Sequence, residues 1–137
     1  MTINFHLKIV GALLLTLGIA HGMFGRYFKW REELAPLSLL TRQVFRAHCF
    51  FIGLLVAMAG ACSLFYTGAL LESGRLSRVV LTGFVVFWLL RLVFQLFVYD
   101  PSIWRGRRFY TVMHVVFSIF WTYAVLTYTV ALRMVAG

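Results

Sequence analysis

Three histidines, one arginine and one glutamine stand out, because each falls inside an otherwise apolar stretch of chain. They are His21, His48, His114, Arg91 and Gln95. Polar groups in hydrocarbon are costly and are seldom kept without a role or a partner. Three neutral imidazoles can supply two axial nitrogens to a haem iron, or three nitrogens to a first-row metal. Arg91 can pair bidentately with a haem propionate, with Gln95 supporting it and Trp88 flanking the macrocycle. The same donors suit the carbonyls of a quinone. They also suit an anionic lipid or isoprenoid phosphate, held by Arg91, Arg46 and the arginines at 105–108. The binding candidates are therefore His21, His48, His114, Arg91, Gln95 and Trp88, with the three histidines as metal or haem-iron ligands.

These residues need elements to carry them, and composition names the solvent. The chain has 137 residues, 62% hydrophobic and only 12% charged, with a mean hydropathy of +0.89. A soluble domain of this length cannot hide so much apolar surface, so a bilayer is implied. The apolar runs extend from about Phe5 to Phe24, Val44 to Leu71, Val79 to Tyr99 and Phe109 to Leu132. Each meets the roughly 20 residues that a spanning helix requires. Strands are set aside, since an open sheet leaves its edge groups unsatisfied in lipid. The expectation is an all-α, four-helix transmembrane bundle of antiparallel up-down order, a single domain with both termini on one side.

Between the first two runs, Tyr27, Phe28, Trp30 and Leu34 alternate with basic and acidic residues. That pattern predicts a short interfacial helix over about 26–35. Ser38 or Thr41 is placed to cap the second spanning helix, and Asp100-Pro101 signals a turn. The first run has only Lys8 before it and is read as a retained helix rather than a cleavable leader.

The net charge of +9 gives no nucleic-acid footprint, because the basic residues sit in short clusters between apolar runs. They sort by side instead. Arg26, Lys29, Arg31, Arg42, Arg46, Arg105, Arg107 and Arg108 belong to one face, against Lys8, Arg75, Arg78 and Arg133 on the other. The excess places linkers one and three in the cytoplasm and both termini outside, in a bacterial inner membrane. Counting back from these linkers, the polar groups lie about 7–14 Å below the cytoplasmic boundary, at 1.5 Å per residue. Antiparallel connectivity brings them to one layer. The spacing of Trp88, Arg91, Gln95 and Tyr99 puts all four on one face of the third helix. His114, Ser118 and Trp121 share a stripe of the fourth.

Simpler roles stand beside these. A lone intramembrane imidazole can be interhelical glue, Arg91 can snorkel to headgroups, and Tyr27, Trp30, Tyr99, Trp104 and Tyr110 can form an aromatic belt. His6 reads as interfacial. Cys49 and Cys62 share one helix, too far apart for a disulfide. Gly18 and Gly22 form GxxxG on the first helix, and Gly53, Ala57 and Gly60 line the second, as close helix packing needs.

The layout resembles in outline small four-helix haem-binding membrane proteins, such as cytochrome-b-type membrane anchors and the membrane protoporphyrinogen oxidase family. That resemblance is architectural and implies haem b with redox or quinone-linked chemistry. Two other functions fit the same chain. One is a non-catalytic subunit or assembly factor, with other membrane subunits or a second copy as partner. The other is a lipid- or isoprenoid-handling protein.

Overall fold

The structure is a computed structural model and describes residues 2–137. It is all-α, and four of its helices are long and apolar enough to cross a membrane. In chain order, α1 is Ile3–Tyr27, α2 Trp30–Glu33, α3 Leu39–Phe65, α4 Thr67–Leu71, α5 Arg75–Val93 and α6 Arg108–Ala136. A π turn, Phe94–Val98, prolongs α5, and a 3-10 turn, Pro101–Ile103, precedes α6. The chain divides into two compact units, Lys8–Thr67 and the remainder, 2–7 with Gly68–Gly137.

The Lys8–Thr67 unit is built on the close approach of α1 and α3. A Cβ added to Gly11 would lie 2.6 Å from Leu64 N, and one added to Gly18 would lie 2.6 Å from Ala57 N. A Cβ on Gly60 would collide with the backbone of Leu15. Small residues let the two backbones meet where lipid offers no hydrophobic drive of its own, so packing contacts hold the pair. Gly18 belongs to this seam. Gly22, the other half of the GxxxG pair, has nothing within 4 Å.

The ends of these helices differ from the sequence expectation. α1 runs on to Tyr27, since little from Phe24 onward opposes a helix. Lys29, with φ 50°, then breaks it in the left-handed region. The interfacial helix expected over 26–35 is consequently one turn, Trp30–Glu33. Trp30 packs edge-on against Phe45, with centroids 4.9 Å apart. α3 begins at Leu39, because Ser38 Oγ accepts the Thr41 N–H at 3.2 Å and caps the first turn. It stops at Phe65 instead of continuing to Leu71. Thr67 Oγ1 donates to the Ser63 carbonyl at 2.6 Å, and α4 restarts the chain as a separate short helix.

In the other unit α5 packs against α6. Ser77 Oγ donates to Ala69 O at 2.8 Å and closes the turn between α4 and α5. Asp100 Oδ1 accepts the Ser102 N–H at 2.8 Å, forming the Asp-Pro turn expected from the sequence. That bond holds the Asp100 carboxyl below its ordinary range. Gly106, with φ +77°, reverses the chain into α6, where a side chain would be strained. Large apolar side chains such as Phe97, Leu76 and Leu40 lie on the outside, as a hydrocarbon solvent permits.

Candidate functional site

The α5–α6 unit gathers most of the polar residues singled out in the sequence. Arg91 and Gln95 lie four residues apart, the spacing that places side chains on one helix face. Arg91 Nη1 donates to Gln95 Oε1 at 3.1 Å. Gln95 is buried and reaches across to α6, where its Nε2 lies 3.0 Å from His114 Nδ1. His114 stacks on Trp104, centroids 4.4 Å apart and planes 12° from parallel. The result is a continuous chain, Arg91–Gln95–His114–Trp104.

Aromatic rings surround the arginine. Its Cζ lies 5.1 Å from the Trp121 ring centroid and 5.5 Å from that of Tyr99. Trp121 in turn stacks on Trp88 at 5.0 Å with planes 8° apart. Trp88 is 1% exposed and Trp121 3% exposed. The indole N–H groups of both, and of Trp104, are buried without a hydrogen-bond partner. Buried polar groups normally find partners, so three orphan donors in one unit are unusual. Among the described residues no carboxylate forms an ion pair with Arg91.

The π turn positions the end of this face. The Tyr99 N–H bonds to Phe94 O at 3.2 Å, five residues back. One extra residue per turn widens the helix after Gln95, and such bulges recur at functional sites.

In the Lys8–Thr67 unit, α1 and α3 leave a cleft of about 360 Å³. His21, Arg46, Trp30 and Gly22 are among its lining residues. His21 Nδ1 donates to Leu17 O at 2.8 Å. A carbonyl only accepts, so the proton sits on Nδ1 and Nε2 keeps its lone pair. A Cβ on Gly53 would lie 2.7 Å from His21 Cβ, so glycine is what lets the imidazole seat against α3. His48 Nδ1 donates to Val44 O at 2.8 Å in the same manner, but His48 is exposed and does not line the cleft.

Of the six candidates, then, Arg91, Gln95 and His114 form one chain, with Trp88 joined to it through Trp121. His21 lines a separate cleft, and His48 stands outside that cleft. Among the described residues no three His, Cys, Asp or Glu side chains form a group able to hold a metal ion. The three-nitrogen metal set expected from the sequence is not formed within either unit.

Three participants were not anticipated in their roles. Trp104 reads as an interfacial aromatic, yet it holds the His114 ring. Trp121 reads as packing, yet its face lies against Arg91; its place seven residues after His114 was the available signal, since that spacing shares a helix face. His6 reads as interfacial, and its Nδ1 is hydrogen-bonded to Tyr123 Oη at 2.7 Å. Comparison with protein-family models, with curated proteins and with solved structures returns no match to this chain.

Proposed function

We propose that this multi-pass membrane protein binds the acidic head group of an amphiphile at Arg91, a carboxylate or phosphate borne on a lipid or isoprenoid tail. The observation that carries the reading is a cation within an apolar span and no anion paired with it among the described residues. An arginine at the centre of a spanning helix costs about 2.5–3.5 kcal/mol on insertion scales. A cation–π contact returns about 0.5–2 kcal/mol, and one neutral hydrogen bond about 1 kcal/mol. Those contacts roughly offset the cost of placing the charge and leave its attraction for an anion unused. The guanidinium has five N–H donors, of which Gln95 takes one. The unpartnered indole donors of Trp88 and Trp121 stand in the same cluster. A quinone carbonyl is an acceptor of the same kind, but it does not answer the charge.

The test is binding in nanodiscs that contain either anionic or zwitterionic lipid, together with mass spectrometry of what copurifies. An acidic amphiphile should copurify with the native protein. Arg91→Gln should weaken its binding by roughly 30-fold or more, since losing one partner of a desolvated charge pair costs at least about 2 kcal/mol. Arg91→Lys should retain part of it. Equal binding by native protein and Arg91→Gln would overturn the reading.

One observation favours a second reading, binding of haem b with redox function. His21 keeps Nε2 as a lone pair in a cleft that Arg46 also lines. A Nδ1–H bound to a carbonyl is the arrangement that orients a metal-ligating imidazole. In this reading His21 is the single axial ligand from its unit, and Arg46 takes the propionate role first assigned to Arg91. A Soret band in the purified protein that disappears in His21→Ala would support it. Its absence after haem titration would remove it.

A further inference from the structure

The hydrogen-bond chain has a polarity. A guanidinium has donors and no acceptor, so the Gln95 amide turns its oxygen to Arg91, 3.1 Å away. Its NH2 group then faces His114, 3.0 Å from Nδ1. An amide NH2 only donates, so Nδ1 is the acceptor and the ring proton sits on Nε2. Reversing the amide would set N–H against N–H at Arg91 and break the bond there. Rotation of the imidazole is opposed by Trp104, stacked on its face at 4.4 Å. His21 and His48 have the opposite polarity, because each donates from Nδ1 to a carbonyl. The three intramembrane imidazoles are thus two that present a lone pair and one that presents a proton.

We propose that Arg91, acting through Gln95, fixes His114 as the Nε2–H tautomer, so that this site offers donors only and selects an oxygen acceptor that carries no proton. Gln95 is a positioning residue. Arg91 and the Nε2–H of His114 are the binding groups, and the buried indole N–H groups of Trp88 and Trp121 are further donors without acceptors. A carboxylate or a phosphate diester matches that set, while an alcohol or an ammonium does not. An Nε2 that holds a proton is also closed to a metal ion, which separates His114 from His21. The specificity step rests on the reading of Arg91 as a ligand group, but the tautomer does not.

The experiment uses the full chain, labelled with 15N-histidine in nanodiscs of zwitterionic lipid, with His114 assigned by its loss in His114→Gln. The ligand-free native protein should show the His114 proton on Nε2. In Gln95→Glu the proton should move to Nδ1, because a carboxylate only accepts. A native proton on Nδ1, or an unchanged tautomer in a folded Gln95→Glu, overturns the proposal. A second arm measures binding of a long-chain fatty acid against the alcohol of equal chain length. The native protein should prefer the acid by about tenfold or more, the worth of one charge-assisted bond, and Gln95→Glu should lose that preference. Equal binding of acid and alcohol would overturn the specificity step. The expected tautomer with no acid bound by any variant would uphold the relay and overturn the reading of Arg91 as a ligand group.

Discussion

Gln95 Nε2 and His114 Nδ1 lie 3.0 Å apart and join the π turn after α5 to the second turn of α6. Gln95 also accepts from Arg91, so one buried side chain satisfies both neighbours. Gln95→Leu should remove both bonds and lower stability by about 1–2 kcal/mol, since interhelical hydrogen bonds in membranes are individually worth about 0.6–1.7. Equilibrium unfolding in mixed micelles reads this directly.

The α1–α3 seam predicts a contrast between two glycines. Gly60→Ala should destabilise by about 1–3 kcal/mol, the usual cost of overpacking, because its Cβ would meet the backbone of Leu15. Gly22→Ala should be neutral or slightly stabilising, with nothing within 4 Å to meet and a helix former replacing glycine. The same unfolding assay compares the pair, and equal losses would contradict the seam.

Asp100 gives a pH dependence with a definite sign. The Ser102 N–H donated to its carboxylate lowers its pKa from the ordinary 3.8. A lowered folded-state pKa means that the turn gains stability from the ionised form above the ordinary carboxylate range. The gain is lost only as pH falls through the lower folded value. The Ser102 amide resonance should therefore hold its position until the pH is below the normal aspartate range, and Asp100→Ala should abolish that transition.

Tyr123→Phe tests a contact far from the arginine. It removes the hydroxyl bonded to His6 at 2.7 Å and leaves the ring, which meets the imidazole at 5.9 Å. A loss of about 0.6–1.7 kcal/mol is expected, and no change in ligand binding.

The periodicity of one helix was enough to place Arg91, Gln95 and Tyr99 on a common face, because spacing alone determines which side chains on a regular helix are neighbours. It could not supply the partner. The bond from Gln95 to His114 depends on how α5 and α6 pair, and nothing local encodes that register. Nor does composition reveal the π turn, since Phe94–Val98 is apolar and helix-compatible throughout. The glycines were half legible. Gly18, Gly53 and Gly60 are where close packing needs them, while Gly22 matches the same motif and opens onto the cleft. Helix ends were the least legible, because Ser38 and Lys29 act through backbone geometry and not through hydropathy.

The π turn also bears on how such a site could arise or be lost. A single residue deleted within Phe94–Val98 would restore regular winding and turn everything beyond it by roughly 100° about the helix axis. Tyr99 would leave the guanidinium and the Asp100 reversal would be re-aimed, while the hydrophobic length of the span would hardly change. One codon therefore separates an assembled cluster from a plain spanning helix, and a one-residue deletion series here would trade the binding face for an ordinary membrane anchor.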